Sequence, residues 1–196
     1  MVKQGKSSDV LRELYGEVEY YGSLLTPYTA DLVERYPHPL FDKLFSSLGK
    51  RMIAVCPMAF CNNLLKDLGE TPEAKDLAAL GLHMLAISTH DDIADEMPQD
   101  RIELASLLYA GNIATNEGSK ILVEQGKLQG AKVLLGEVNK NHFYQQHVVE
   151  TLWQRAPQSF EEYRDGINHI CVFSGIGLKY ALALAGREDL TRKIKT

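Results

Sequence analysis

The sequence predicts an all-α protein, and three observations carry that expectation. Apolar residues recur at helical spacing nearly everywhere, no stretch alternates as a half-buried strand would, and proline and glycine fall where they leave long uninterrupted segments between them. At 196 residues the chain is long enough for one sizeable core, so residues 1–196 are expected to form a single all-helical domain.

Taken in order, Asp9 to about Tyr21 reads as a first helix, followed by a loop near Thr26-Pro27. A second segment through Asp31–Tyr36 stops before Pro37-His-Pro, and Phe41–Leu48 precedes Gly49-Lys-Arg. Arg51 to Leu68 reads as a helix kinked at Pro57. Gly69-Glu-Thr-Pro-Glu is a boundary: Thr71 suits an N-cap, Pro72 the first helical position, and Glu73 complements the dipole. The helix starting there should run to about Met97, where Pro98 ends it, a rod of roughly 39 Å. Further long helices are expected at Arg101–Gly126 and Gly130–Arg155, and a last one from Ser159, capped with Glu162, to Gly186. Gly111, Gly118, Gly175 and Gly177 fall inside helical patterns, which points to close helix packing or local bends. Long helices joined by short loops describe a bundle of mostly antiparallel helices around a central cavity.

Composition narrows the partners. The net charge of -5 gives no electrostatic reason to expect nucleic acid, although a bridging cation would still allow an anionic ligand. Cys56, Cys61 and Cys171 match no zinc spacing and read as free core thiols of a reducing compartment. The N-terminus lacks the apolar run of a signal peptide, and no segment is apolar enough to span a membrane, so a cytoplasmic location is expected.

The chemistry-bearing segment is His90-Asp91-Asp92-Ile93-Ala94-Asp95-Glu96. On a helix Asp91 and Asp95 share a face and Asp92 joins them; followed backwards, that face carries Ser88, Met84, Gly81 and Leu77. An apolar stripe therefore runs into three carboxylates, which directs them inward. At about 5.5 Å and an effective dielectric near 20, each pair repels by on the order of 3 kcal/mol, so a proton or cation must relieve them. Oxygen-only ligands with room for water suit Mg²⁺, and a diphosphate bridged through it becomes a good leaving group. Two competing readings are an acidic helix terminus on the surface and a metal phosphohydrolase pair from His90 and Asp91. The second needs clustered histidines, whereas His83, His142, His147 and His169 are scattered. Lys50 and Arg51 could bind a diphosphate or be a surface pair. Ile87, Ser88 and Met84 would line an apolar pocket or simply pack the core. Tyr20, Tyr21, Phe143, Tyr144, Trp153 and Tyr163 read as core or interface, and Asn112 and Asn116 could face the acids.

The run from Leu85 to Glu96 resembles the first aspartate-rich motif, DDxxD, of trans-isoprenyl diphosphate synthases, the polyprenyl synthetase family. Gly49-Lys50-Arg51 is similar to the start of that family's GGKRxRP motif, and Arg101 sits where the second arginine of its RRG is expected. The resemblance implies an isoprenoid-synthase-type bundle of which this chain would be the N-terminal two thirds. It implies that Asp91, Asp92 and Asp95 bind Mg²⁺ and an allylic prenyl diphosphate, with Lys50, Arg51 and Arg101 contacting a diphosphate. It further implies prenyl transfer by a homodimer, or by a heteromer. The departures are specific: Ile53, Met84 and Asp100 stand where the family carries polar or basic residues, Glu103 where it carries glycine, and no basic residue lies at Ile170. No second DDxxD occurs before Thr196. Asp100-Arg-Ile-Glu-Leu-Ala and Phe160-Glu-Glu-Tyr-Arg resemble an atypical branch that includes the prenyltransferase of moenomycin biosynthesis. These departures keep two alternatives open, a class I terpene cyclase and a non-catalytic subunit of a heteromeric prenyl synthase.

Overall fold

The computed structural model describes residues 5–46, 52–96, 100–148, 159–162 and 173–191. They form helices and connecting turns, with no strand among them. In chain order these are α1 (Gly5–Arg35), α2 (Pro39–Ser46), α3 (Met52–Asp67), α4 (Ala74–Glu96), α5 (Arg101–Glu124), α6 (Leu128–Val148), α7 (Phe173–Leu184) and the short α8 (Glu188–Thr191), with a helical turn at 160–162. Buried residues from α1 through α7 make one contiguous apolar cluster.

Glycine sets three of the helix ends as expected. Gly69, Gly126 and Gly186 have φ of 80°, 72° and 66°, a left-handed conformation that costs glycine nothing. The N–H groups of Glu70, Lys127 and Arg187 then reach back to the carbonyls of Leu65, Leu122 and Leu182 at 2.9, 2.8 and 2.8 Å, the closing bond of a Schellman motif. Ser159 also caps as expected, its hydroxyl accepting from the Glu162 N–H at 3.1 Å.

Two expectations are overturned. No loop interrupts the first helix at Thr26-Pro27: α1 is continuous with Pro27 inside it. The buried stripe of Tyr21, Leu25, Thr29 and Leu32 crosses the proline, so packing holds the helix together. The hydroxyls of Thr26 and Thr29 donate to the Gly22 and Thr26 carbonyls, both at 3.1 Å, adding local bonds around the proline. Nor does Thr71 cap α4, which begins at Ala74. Asp76 reaches back to accept the Glu73 N–H at 3.2 Å, the reciprocal half of a capping box set further along the chain.

The central element is α4. Every residue from Asp76 to Thr89 is buried, so this helix is enclosed on all sides rather than presenting one apolar stripe. Its closest neighbour is α5, whose buried face is Ser106, Ala110, Gly111, Ala114, Gly118 and Leu122, small except for the last. A Cβ on Gly118 would come within 2.5 Å of His83 Nδ1, and one on Gly111 within 2.8 Å of the His90 ring. The pairings His83–Gly118 and His90–Gly111 define an antiparallel register in which two imidazoles, two turns apart, fill two glycine notches. The glycines therefore act in close packing, as the sequence suggests. Gly177 of α7 does the same against α3, where a Cβ would run into the carbonyl of Pro57.

These contacts set opposite signs for two Gly→Ala changes. Gly177→Ala should lower the urea stability by about 2–3 kcal/mol, because the obstacle is backbone. Gly136→Ala, with nothing within 4 Å of the new methyl, should raise it by up to about 1 kcal/mol. Equal effects would contradict the packing described.

Candidate functional site

The acidic segment ends α4, and its position follows from how that helix leaves the bundle. Burial is complete to Thr89 and then relaxes: His90, Asp91, Asp92 and Ile93 are half-buried. The two carboxylates thus stand where an enclosed helix meets solvent. Asp95 belongs to the same helix, but its side chain lies outside the described residues. Because α4 is buried all round, the apolar stripe drawn from Leu77 to Ser88 does not distinguish inward from outward. The placement of Asp91 and Asp92 rests instead on where the enclosure stops.

The residues beneath them are core. Met84 and Ile87 are 0% exposed and Ser88 is 6% exposed. Arg101 is the first residue of α5 and is exposed. The α4–α5 register sets Ala110, not Arg101, opposite Asp91. Arg101 thus lies about 14 Å further along the helix axis. Asn112 and Asn116 are exposed and do not face the acids; the side of α5 that meets α4 is the one carrying Gly111, Ala114 and Gly118. Lys50 and Arg51 lie outside the described residues, as do the side chains of Phe143, Tyr144, Trp153 and Tyr163. Of the remaining aromatics, Tyr21 is buried and bonded to Asn62 at 2.9 Å, whereas Tyr20 is 54% exposed. Cys61 is a buried free thiol whose pKa burial pushes well up, as expected of an inert core cysteine.

Both histidines of α4 are committed to packing. His83 is fully buried, and its Nδ1 lies 2.8 Å from the Ala79 carbonyl, so Nδ1 carries the proton. Nε2 then accepts from the Ser119 hydroxyl at 3.1 Å. Burial pushes the His83 pKa down to about 4 against the opposing pull of that carbonyl, and it lowers His90 in the same way. His90 packs its ring against Gly111, where a Cβ would come within 2.8 Å of it.

A cavity of about 330 Å³ lies between α1, α4 and α5, with Leu32, Leu82 and Ile121 in its lining. Arg35 also lines it and bonds Glu117 across it at 2.9 Å. None of Asp91, Asp92, Met84, Ile87 or Ser88 lines this cavity, and Leu82 lies about 14 Å below Asp91 along α4. The cavity therefore sits beside the central helix, below the level of the acids.

Sequence reasoning missed a polar hub at the other end of α4. Asp76 is 3% exposed, and Lys127 Nζ donates to its two oxygens at 2.7 and 2.9 Å and to Glu73 at 2.8 Å. The Tyr180 hydroxyl donates to the Asp76 carbonyl at 3.1 Å. Burial acts to lower the Lys127 pKa, and its bonds to Asp76 and Glu73 outweigh that, leaving it raised. A second inner pair joins Lys179 of α7 to Glu137 of α6 at 2.9 Å. The one local signal was Asp76 three residues after Glu73 at a helix start; nothing in sequence links residues as distant as Asp76 and Lys127.

No family model matches this chain, and no curated protein or solved structure matches it.

The neutral His83 makes a pH prediction. The unfolded chain takes a proton near pH 6.5 and the folded one only near 4, so the unfolded state binds more protons between them. Stability should fall as pH drops through that window, with about 3 kcal/mol due to His83. His83→Gln should flatten this part of the urea-midpoint profile; an unchanged slope would contradict the assignment.

Proposed function

We propose that this protein is a Mg²⁺-dependent prenyltransferase of the isoprenyl diphosphate synthase type, which ionises an allylic diphosphate and transfers its prenyl group. The observation that supports this reading is the placement of Asp91 and Asp92, half-buried where the fully enclosed α4 emerges, in a segment of DDxxD form. The reading adds to the all-α fold a resemblance of that segment, and the isoprenoid-synthase type of bundle is part of the proposal.

The donors fit the ion. Mg²⁺ typically takes one or two carboxylates, with substrate phosphates and waters completing six positions. Asp91 and Asp92 are hard oxygen donors with access to water, and they would hold it. The bound ion would neutralise charge building on the departing diphosphate. The chain itself would orient that diphosphate at the end of α4.

One observation favours a second reading. Ile53, where the family carries an arginine, is partly buried against the core. A protein that lacks that diphosphate contact could ionise a single substrate and cyclise it, as a class I terpene cyclase does. Products separate the two. Farnesyl diphosphate converted alone to a cyclic hydrocarbon supports cyclisation, conversion only with an acceptor supports transfer, and binding without turnover supports a non-catalytic subunit.

Asp91→Asn and Asp92→Asn should each lower Mg²⁺-dependent release of pyrophosphate from farnesyl or geranylgeranyl diphosphate by on the order of 10²-fold, with helical circular dichroism unchanged. Unchanged turnover in both variants would reject the assignment of these carboxylates.

A further inference from the structure

The inward face of α6 runs through Ala131, Leu134, Val138 and Asn141, all buried and spaced three or four apart. The first three are the apolar residues that this spacing demands; the fourth is a carboxamide. Asn141 is 1% exposed, and neither its Oδ1 nor its Nδ2 makes a hydrogen bond among the described residues. Asn62 bonds Tyr21, Thr89 the Leu85 carbonyl and His83 uses both nitrogens, while Gln125 bonds through Nε2 and leaves only its Oε1 without a partner among the described residues. A buried amide with neither end bonded is destabilising, and where native proteins retain one, a bound molecule or a buried water is among the groups that complete it. Asparagine on a helix seam can instead set register, but it does so by bonding a counterpart across the interface.

Its height in the bundle sets it level with the acids. Lys127 grips Asp76, so α6 and α4 start level, and α5 reverses between them, so they run the same way. Counted along the helices, Asn141 lies about 21 Å beyond Lys127 and Asp91 about 22 Å beyond Asp76.

We propose that Asn141 is a ligand-binding residue that takes an uncharged group able to donate and accept together, a hydroxyl or vicinal diol on an otherwise apolar molecule. The carboxamide offers one N–H edge and one carbonyl edge. A carboxylate or phosphate satisfies the first and repels the second, an ammonium satisfies only the second, and an alkene satisfies neither. The apolar body follows from Leu134 and Val138 on the same face. On the prenyltransfer reading this molecule is the acceptor, and only that clause rests on it; the binding claim needs neither metal nor diphosphate.

The test uses the full chain with ¹⁵N-labelled asparagine, the Asn141 side-chain signals being those lost in Asn141→Leu. Titration with 1,2-hexanediol should move them saturably, with hexanoate and hexylamine at least tenfold weaker. Without ligand, Asn141→Leu should unfold at the same urea concentration as the parent or higher, since an unbonded amide has been removed. A diol no better than the acid and the amine would overturn the proposal. So would a leucine variant that unfolds well before the parent, because the amide would then be bonded within the protein. Because metal and diphosphate are both left out, failure here is distinct from failure of the Asp91 and Asp92 assignment.

Discussion

The close approach of α4 and α5 is the constraint on which the rest of this structure depends. A helix can be enclosed on all sides only if its neighbours come near enough to exclude water, and here α5 does so by carrying Ser106, Ala110, Ala114 and Gly118 every fourth residue on its inner face. The bulk that this face lacks is supplied by α4, as the rings of His83 and His90 entering the notches at Gly118 and Gly111. Such an arrangement has one register. Shifting α5 by a residue would drive an imidazole into a side chain and unpair the Ser119 hydroxyl from His83.

The enclosure also fixes the electrostatics. Inside it, His83 stays neutral and fully bonded, since an imidazolium there would lose its hydration without a carboxylate to replace it. At the start of α4, Lys127 closes over the buried Asp76 and donates to both of its carboxylate oxygens. At the other end the enclosure stops before His90, and the first carboxylates of the acidic segment fall on the two residues that follow, within reach of water and at the rim of a dry interior. That boundary gives the segment its chemical interest, because carboxylates need solvent or a cation and an allylic cation needs protection from water. On the proposed reading Asp91 and Asp92 meet the first of these conditions.

What was legible in the sequence was local. Helix ends at Gly69, Gly126 and Gly186 could be read because left-handed backbone is a property of the residue itself, and the cap at Ser159 because its partner lies three residues on. Pro27 misled because the local cost of a proline was outweighed by Leu25 and Leu32 packing on either side of it. Thr71 misled because Asp76 caps the same helix from inside its first turn. The acidic segment could be found by its composition and spacing, yet its direction could not, since a stripe argument presumes one buried face and α4 has no exposed one between Asp76 and Thr89. Asp76–Lys127 and Glu137–Lys179 were out of reach for a different reason: each pair is distant in sequence, and only the fold brings it together. Asn141 falls within the expected Gly130–Arg155 helix, and its significance comes from burial that periodicity alone cannot measure.

The central claim is that the acidic end of the enclosed helix captures a divalent ion together with a diphosphate. Replacing Mg²⁺ by Mn²⁺ with inorganic diphosphate, and recording paramagnetic broadening of the backbone amides, addresses it directly. Broadening should be greatest at Asp91 and Asp92 and fade down α4 toward Leu77, which lies about 21 Å from Asp91 along the axis. A maximum elsewhere on the protein, or the same weak broadening over all of its acidic residues, would contradict the account.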